Sequence, residues 1–199
     1  MRRLWILGAV VWLVLAPSMA TATDARDLIQ NVADDAVTLL SSTEQNSPER
    51  KEGLESLFRA AMDMPFVGRF VMGRHWRTLS DSEKSDYMDA FEDYVLSVYA
   101  RRLNEYSGES IRILETRKVD QVDTIVLTQL VRKNREPASL EWRVRQIDGE
   151  AKVIDVSVEG VSMALNQRQE FTSILQREGV DGLIKRLKNP GNSDRGPTR

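Results

Sequence analysis

Cysteine is absent from the 199 residues, and histidine occurs once, as His75. No disulfide can form, no thiolate can hold a metal, and a lone imidazole cannot build a histidine-based zinc site or a histidine pair. An excess of positive charge is also lacking, with 28 Lys and Arg against 30 Asp and Glu. Nucleic acid is therefore a poor partner, because phosphate neutralisation requires clustered cations in surplus. The longest apolar run, Leu4–Leu15, is too short to span a bilayer stably. No internal repeat is visible.

That run instead has the pattern of an export signal. Met1-Arg2-Arg3 supplies a basic start, Pro17 ends the apolar core, and the small residues before Ala20 and Ala22 suit cleavage after either. Arg2-Arg3 lacks the surroundings of a twin-arginine signal, and with no cysteine there is no lipid anchor. We expect a signal peptide at 1–22, one domain at 23–188 and a disordered tail at 189–199. Losing Arg2 and Arg3 takes the formal charge from −2 to −4.

The mature chain changes period twice. Leu28, Ile29, Val32, Ala36, Leu39 and Leu40 recur with helical spacing, and Leu54, Leu57, Phe58, Ala61 and Met62 mark a second helix after Pro48. Asp63 suits the cap of a short third helix, with Pro65 in its first turn and Gly73 as its stop. Ser80 and Glu83 form a capping box for a long helix from about Asp81 to about Asn104, whose apolar stripe includes Phe91, Val95 and Tyr106.

After Gly108 the period is two. Ile111 and Ile113, then Val122–Val131, then Leu140, Trp142 and Val144, and finally Ile154, Val156 and Val158 predict about four antiparallel strands. Asp148-Gly149 predicts a tight hairpin. Helical spacing returns at Leu165, Phe171, Ile174 and Leu175, stops at Gly179, and resumes behind Asp181. Helices segregated from an antiparallel meander predict an α+β fold, with N-terminal helices on a curved sheet closed by C-terminal helices.

Candidate chemistry concentrates in Ala151–Phe171. Asp155 and Glu159 are the acid pair there, with backbones about 13 Å apart along a strand, beyond the roughly 5–9.5 Å that glycosidase carboxylates require. Ser162 has no histidine near it in sequence. The structural reading is preferred: Gly160 permits a bend, Ser162 or Asn166 caps the next helix, and Asp155 with Glu159 supports the corner. The alternative is a pocketed enzyme with Asp155 as general base; a third is an adaptor with a filled core. Arg143 and Arg145, on the wet face of their strand, are expected to be solvated or to dock an acidic partner or anionic membrane. Trp76 is expected to be a lid on the core.

Three segments carry a family resemblance: Met72-Gly73-Arg74-His75-Trp76, Asp155-Val156-Ser157-Val158-Glu159-Gly160-Val161-Ser162-Met163, and Gly179-Val180-Asp181-Gly182-Leu183. Together they resemble the MlaC, or toluene-tolerance, family of periplasmic phospholipid-binding proteins. Ala151 and Gln167 depart from it, standing where tryptophan and an aromatic are common in the family. The resemblance implies a deep apolar pocket between sheet and helices, no cofactor and no catalysis. Its implied cargo is a phospholipid, or a hopanoid in a hopanoid-associated branch. Its implied partners are an inner-membrane ABC transporter complex and an outer-membrane lipoprotein complex, met transiently by a monomer.

The apolar faces nominate the lining of such a pocket. The helices offer Phe66, Phe70, Trp76, Val95, Tyr99 and Leu103. The strands offer Ile125, Leu127, Leu140, Trp142, Val144, Ile154 and Val156. The corner and last helix add Val161, Met163, Phe171 and Ile174.

Overall fold

The computed structural model describes residues 20–104, 108–133 and 135–190, with side chains throughout except at 20–23 and 100–104. Residues 1–19 of the expected signal, Tyr106, the Leu103 side chain and the expected tail from 191 onward lie outside the described set.

Four helices come first: α1 (Ala20–Ser42), α2 (Pro48–Ala61), α3 (Met64–Met72) and, after a 3-10 turn at Gly73–Thr78, α4 (Asp81–Asn104). A meander follows in the order β1 (Ser110–Lys118), β2 (Asp123–Val131), β3 (Ala138–Ile147), β4 (Glu150–Val158) and the two-residue β5 (Val161–Ser162). Helix α5 (Met163–Leu187) closes the chain. Among the described residues no helix is long and apolar enough to cross a membrane.

The boundaries follow from caps and turn chemistry. Asp63 accepts from the Phe66 amide at 2.9 Å and starts α3, while Gly73, at φ 60°, ends it. The Ser80 amide donates to Glu83 at 2.8 Å and the Glu83 amide to Ser80 Oγ at 3.3 Å, completing the expected capping box of α4. Asp148 and Gly149 both take positive φ, as the hairpin requires. Glu159 and Gly160 do the same, so the expected bend is a second two-residue hairpin, pairing Val158 with Val161. At Gly179 (φ 71°) the dihedrals leave the helical region, so α5 consists of two helices meeting at a kink, with the stop at Gly179 and the restart behind Asp181 that the sequence predicts.

Two bulges break the simple alternation. Leu114 in β1 and Ile154 in β4 have no partner across the ladder, because Ile113 and Glu115 face Thr128 and Leu127, and Val153 and Asp155 face Val144 and Arg143. Each bulge bends its strand and adds local twist, which curves the sheet.

Helix α1 crosses the sheet, setting Ala25 and Ile29 against Val126, Val144 and Val153. Helices α3, α4 and α5 form a separate core around Tyr87, Phe91 and Phe171. The Tyr87 hydroxyl, buried between α4 and α3, donates to the Gly68 carbonyl at 2.9 Å. Gly68 lets α4 approach closely there, since a Cβ would fall 2.6 Å from Met88 Sδ and 3.2 Å from a Phe91 ring carbon and would oblige the methionine to shift.

Arg50 joins α1 to α2. Its guanidinium, 6% exposed, donates to the carbonyls of Leu40 and Thr43 and to Thr43 Oγ1 at the end of α1. These carbonyls have no partner in their own helix, and the cation also suits the negative end of the helix dipole. Arg50→Met is therefore expected to lower unfolding free energy by about 2 kcal/mol, measured by urea denaturation.

Candidate functional site

The two apolar cores do not merge. Met62, in the connector between α2 and α3, packs against both of them. On the bundle side the neighbouring half-buried residues include Phe58 and Tyr99, whose rings stack at 5.3 Å. On the sheet side they include Trp142 and Val156, which are directly opposite each other on β3 and β4. Trp142 Nε1 donates to Thr128 Oγ1 at 2.9 Å, so the one polar atom of that indole is already engaged and the ring presents apolar surface. The seam thus offers half-buried aromatic, thioether and aliphatic groups. Such groups suit an apolar ligand.

The nominated lining residues divide among several places. Val95, Phe171 and Ile174 are buried inside the helical core, with Phe66, Phe70, Trp76 and Tyr99 half-buried against it. Trp76 meets Tyr87 edge-on at 6.2 Å, which makes it a cover for that core. Leu140, Trp142, Val144 and Val156 share one sheet face, but Val144, 1% exposed, is packing beneath α1. Ile154 is buried within the β4 bulge rather than continuing the Val156–Val158 row, and Val153 takes the position facing Val144.

Ile125 and Leu127 correct the sequence grouping. They pair with Arg143 and Glu141, so they lie on the opposite sheet face from Trp142. The face toward α1 is supplied by Thr124, Val126 and Thr128, whose two threonines concealed it in a run where every second residue is also apolar. Met163 is half-buried at the start of α5, and Val161 is 53% exposed. Met62, read from sequence as part of the second helix's apolar stripe, packs against both cores, and Phe58, one turn before it, packs against the helical core. No periodic signal could single out Met62, because its importance comes from contact with two cores.

The polar cluster of Ala151–Phe171 is a helix cap. Asp155 Oδ2 accepts from Ser162 Oγ at 2.5 Å and Oδ1 from the Ala164 amide at 3.0 Å. Ser162 Oγ in turn accepts from the Leu165 amide at 3.1 Å. Glu159 turns away and accepts from the Ser139 amide at 2.7 Å. Both Asp155 oxygens therefore hold the first turn of α5. Among the described residues no group of His, Cys, Asp and Glu is placed to bind a metal.

Arg143 and Arg145 are also engaged within the chain. Asp123, a side chain with no exposed area, takes Arg145 Nε at 2.6 Å and Arg145 Nη2 at 2.9 Å on its two oxygens, and Arg143 Nε at 2.8 Å. Hydrogen bonding from Arg145, then from Arg143, holds the Asp123 carboxyl below its ordinary range against the opposing effect of burial. Sequence gave no hint of this knot, since Asp123 falls inside the Val122–Val131 strand run and its arginine partners lie on the next strand.

The sequence profile of the MlaC protein family matches residues 30–189. The chain belongs to the MlaC family. One MlaC relative is the intermembrane phospholipid transport system binding protein MlaC of Haemophilus influenzae, 22% identical over 81% of this chain and 79% of its own. Toluene tolerance protein ttg2D of Pseudomonas putida is 21% identical over 87% and 84%. Among solved structures, the phospholipid-binding protein of Ralstonia solanacearum in complex with a phospholipid superposes with a TM-score of 0.73 at 20% identity, covering 85% of this chain and 98% of that one. The MlaC fold is thereby shared with a protein that carries lipid.

The Asp123 knot has a definite pH signature. Because its folded pKa is depressed, its stabilisation is present above the ordinary carboxylate pKa and is lost as pH falls through the folded value. Asp123→Asn is expected to cost about 2 kcal/mol at pH 7, with the difference from wild type shrinking below about pH 4. Paired denaturation curves across that range measure it.

Proposed function

We propose that this MlaC-family chain is a periplasmic lipid carrier that holds acyl chains at the seam between its two apolar cores. The observation that carries the reading is the placement of Met62 against both cores, each of which has half-buried apolar side chains packed on it, Phe58 and Tyr99 on one and Trp142 and Val156 on the other. Two cores that meet along incompletely buried apolar groups can separate to admit a chain more readily than one continuous core. Export through the Met1–Ala22 segment, the phospholipid named for the Haemophilus relative and the phospholipid bound by the Ralstonia protein support it.

The energetics suit reversible transfer. Two acyl chains with roughly thirty methylenes gain about 24 kcal/mol on leaving water, and a bilayer offers nearly the same. A carrier therefore needs only to match the bilayer, which requires apolar surface and no catalytic group. In this reading a monomer shuttles phospholipid between an outer-membrane lipoprotein complex and an inner-membrane ABC transporter complex. Asp155 serves in this reading as the cap of α5.

Native mass spectrometry of the mature protein purified without detergent, followed by organic extraction, tests the cargo. Bound glycerophospholipid is the expected result. An extracted triterpenoid would assign a hopanoid cargo instead, and a chain that stays empty after exposure to labelled vesicles would overturn the carrier reading. Val156→Asp is expected to reduce lipid occupancy more than tenfold with an unchanged circular dichroism spectrum. Asp155→Asn is expected to lower stability by about 1 kcal/mol and to leave uptake intact, whereas loss of uptake from the folded variant would restore it to the site.

A further inference from the structure

Away from the seam, β3, α3 and α5 build a strip of alternating guanidinium and aromatic groups. The Arg145 guanidinium lies 4.6 Å from the Phe66 ring centroid, Phe66 stacks on Phe70 at 6.2 Å, and the Arg168 guanidinium lies 5.2 Å from Phe70. Arg145 is tied to Asp123, but among the described residues no carboxylate pairs with Arg168, Arg69 or Arg74. Gly73 keeps the strip compact: a Cβ there would stand 3.0 Å from Arg168 Nε. One helical turn before Arg168, Leu165 is 51% exposed, and Val161, at the tip of the β4–β5 hairpin, is 53% exposed.

We propose that this strip is a membrane-contact lip, which seats the protein on an anionic phospholipid surface with Val161 and Leu165 dipping into the interface. Three features favour a bilayer over a protein partner. Of the exposed aliphatics, Val161 flanks a two-residue hairpin and Leu165 lies in the first turn of α5; a fluid interface accommodates such separate side chains, and a protein could receive them only in a matching groove. Half-buried aromatic rings flanked by arginines suit the headgroup boundary, where rings lie among the glycerol groups and guanidiniums reach phosphate. Arg69, Arg74 and Arg168 are cations in a chain whose formal charge is −2, so they fix which side approaches an anionic surface.

The hairpin is held for this role. Positive φ at Glu159 and Gly160, the Val158–Val161 pair and the Asp155–Ser162 bond all fix the tip. The nearby acids are engaged with the chain itself, Asp155 at the α5 cap, Glu159 at the Ser139 amide and Glu170 with Gln167 Nε2 at 3.1 Å. Their charge still opposes that of the arginines, which makes the contact weak and brief. A shuttling protein requires release as much as capture.

Flotation of the mature protein with vesicles of phosphatidylcholine, alone or with three parts in ten phosphatidylglycerol, tests the lip. Wild type is expected to float with the anionic vesicles and to lose that binding as salt is raised. Arg168→Glu combined with Arg74→Glu is expected to bind them at least tenfold more weakly, since each juxtamembrane cation contributes about one kcal/mol and tenfold corresponds to about 1.4. Leu165→Ser with Val161→Ser, which leaves the charge unchanged, is expected to lose binding as well.

Equal flotation of wild type with both vesicle types, or undiminished binding by both double variants, overturns the proposal. A charge variant that fails only with membranes carrying acceptor proteins, while wild type never floats with bare vesicles, assigns the strip to a protein partner and also overturns it. Bound lipid in native mass spectra separates this test from the carrier reading: a loaded protein that ignores vesicles defeats the lip alone, and an empty one that floats defeats the carrier alone.

Discussion

The relation between helices and sheet depends on a two-residue connector at the edge of β4. Met62 bridges to Val153, and the Asp63 amide donates to the Val153 carbonyl at 3.0 Å. This joins α3 to the sheet through backbone, at the strand edge that β5 is too short to cover. The same contact places the Met62 side chain between the two cores and lets Asp63 cap α3. One short segment thus terminates a helix, starts another, satisfies an open strand edge and marks the seam. Lys152 reinforces the junction by donating to the Ala60 carbonyl at 2.9 Å.

The charged groups of this MlaC-family protein serve mainly to hold that frame. Arg50 closes the end of α1, Arg59 meets Glu92 across α2 and α4 at 2.5 Å, Asp123 gathers two arginines, and Asp155 caps α5. Arg50, Asp123 and Asp155 each satisfy a group that would otherwise be buried without a partner or left open at a helix end, while Arg59 and Glu92 form a half-exposed tie between two helices. With these groups committed to structure, the seam is left to apolar side chains. Such a division suits a protein whose ligand is held by displacement from water and must also be released.

Much of the local structure was legible because short-range chemistry specifies it. The Ser80–Glu83 box, Asp63 with Gly73, and Asp148-Gly149 each determine their own segment through hydrogen bonds or φ that only nearby residues influence. The strand faces were harder to read. β2 carries apolar residues on both faces, so Ile125 and Leu127 read as equivalent to Val126, and two buried threonines marked the inward side instead. Ile154 was misplaced because a single unpaired residue shifts the alternation, and no residue type announces a bulge.

Sequence by itself determined the order and ends of the helices, the antiparallel meander, the absence of thiol and histidine-metal chemistry, and the motifs of the MlaC family. These depend on neighbours along the chain or on what the composition lacks. Tertiary structure alone decided that the apolar residues form two cores rather than one, that Met62 lies between them, and that Arg143 and Arg145 close on Asp123. Those outcomes depend on which distant surfaces meet. Burial is a property of the assembled fold, and the same leucine, methionine or arginine can be core, rim or surface until the elements dock.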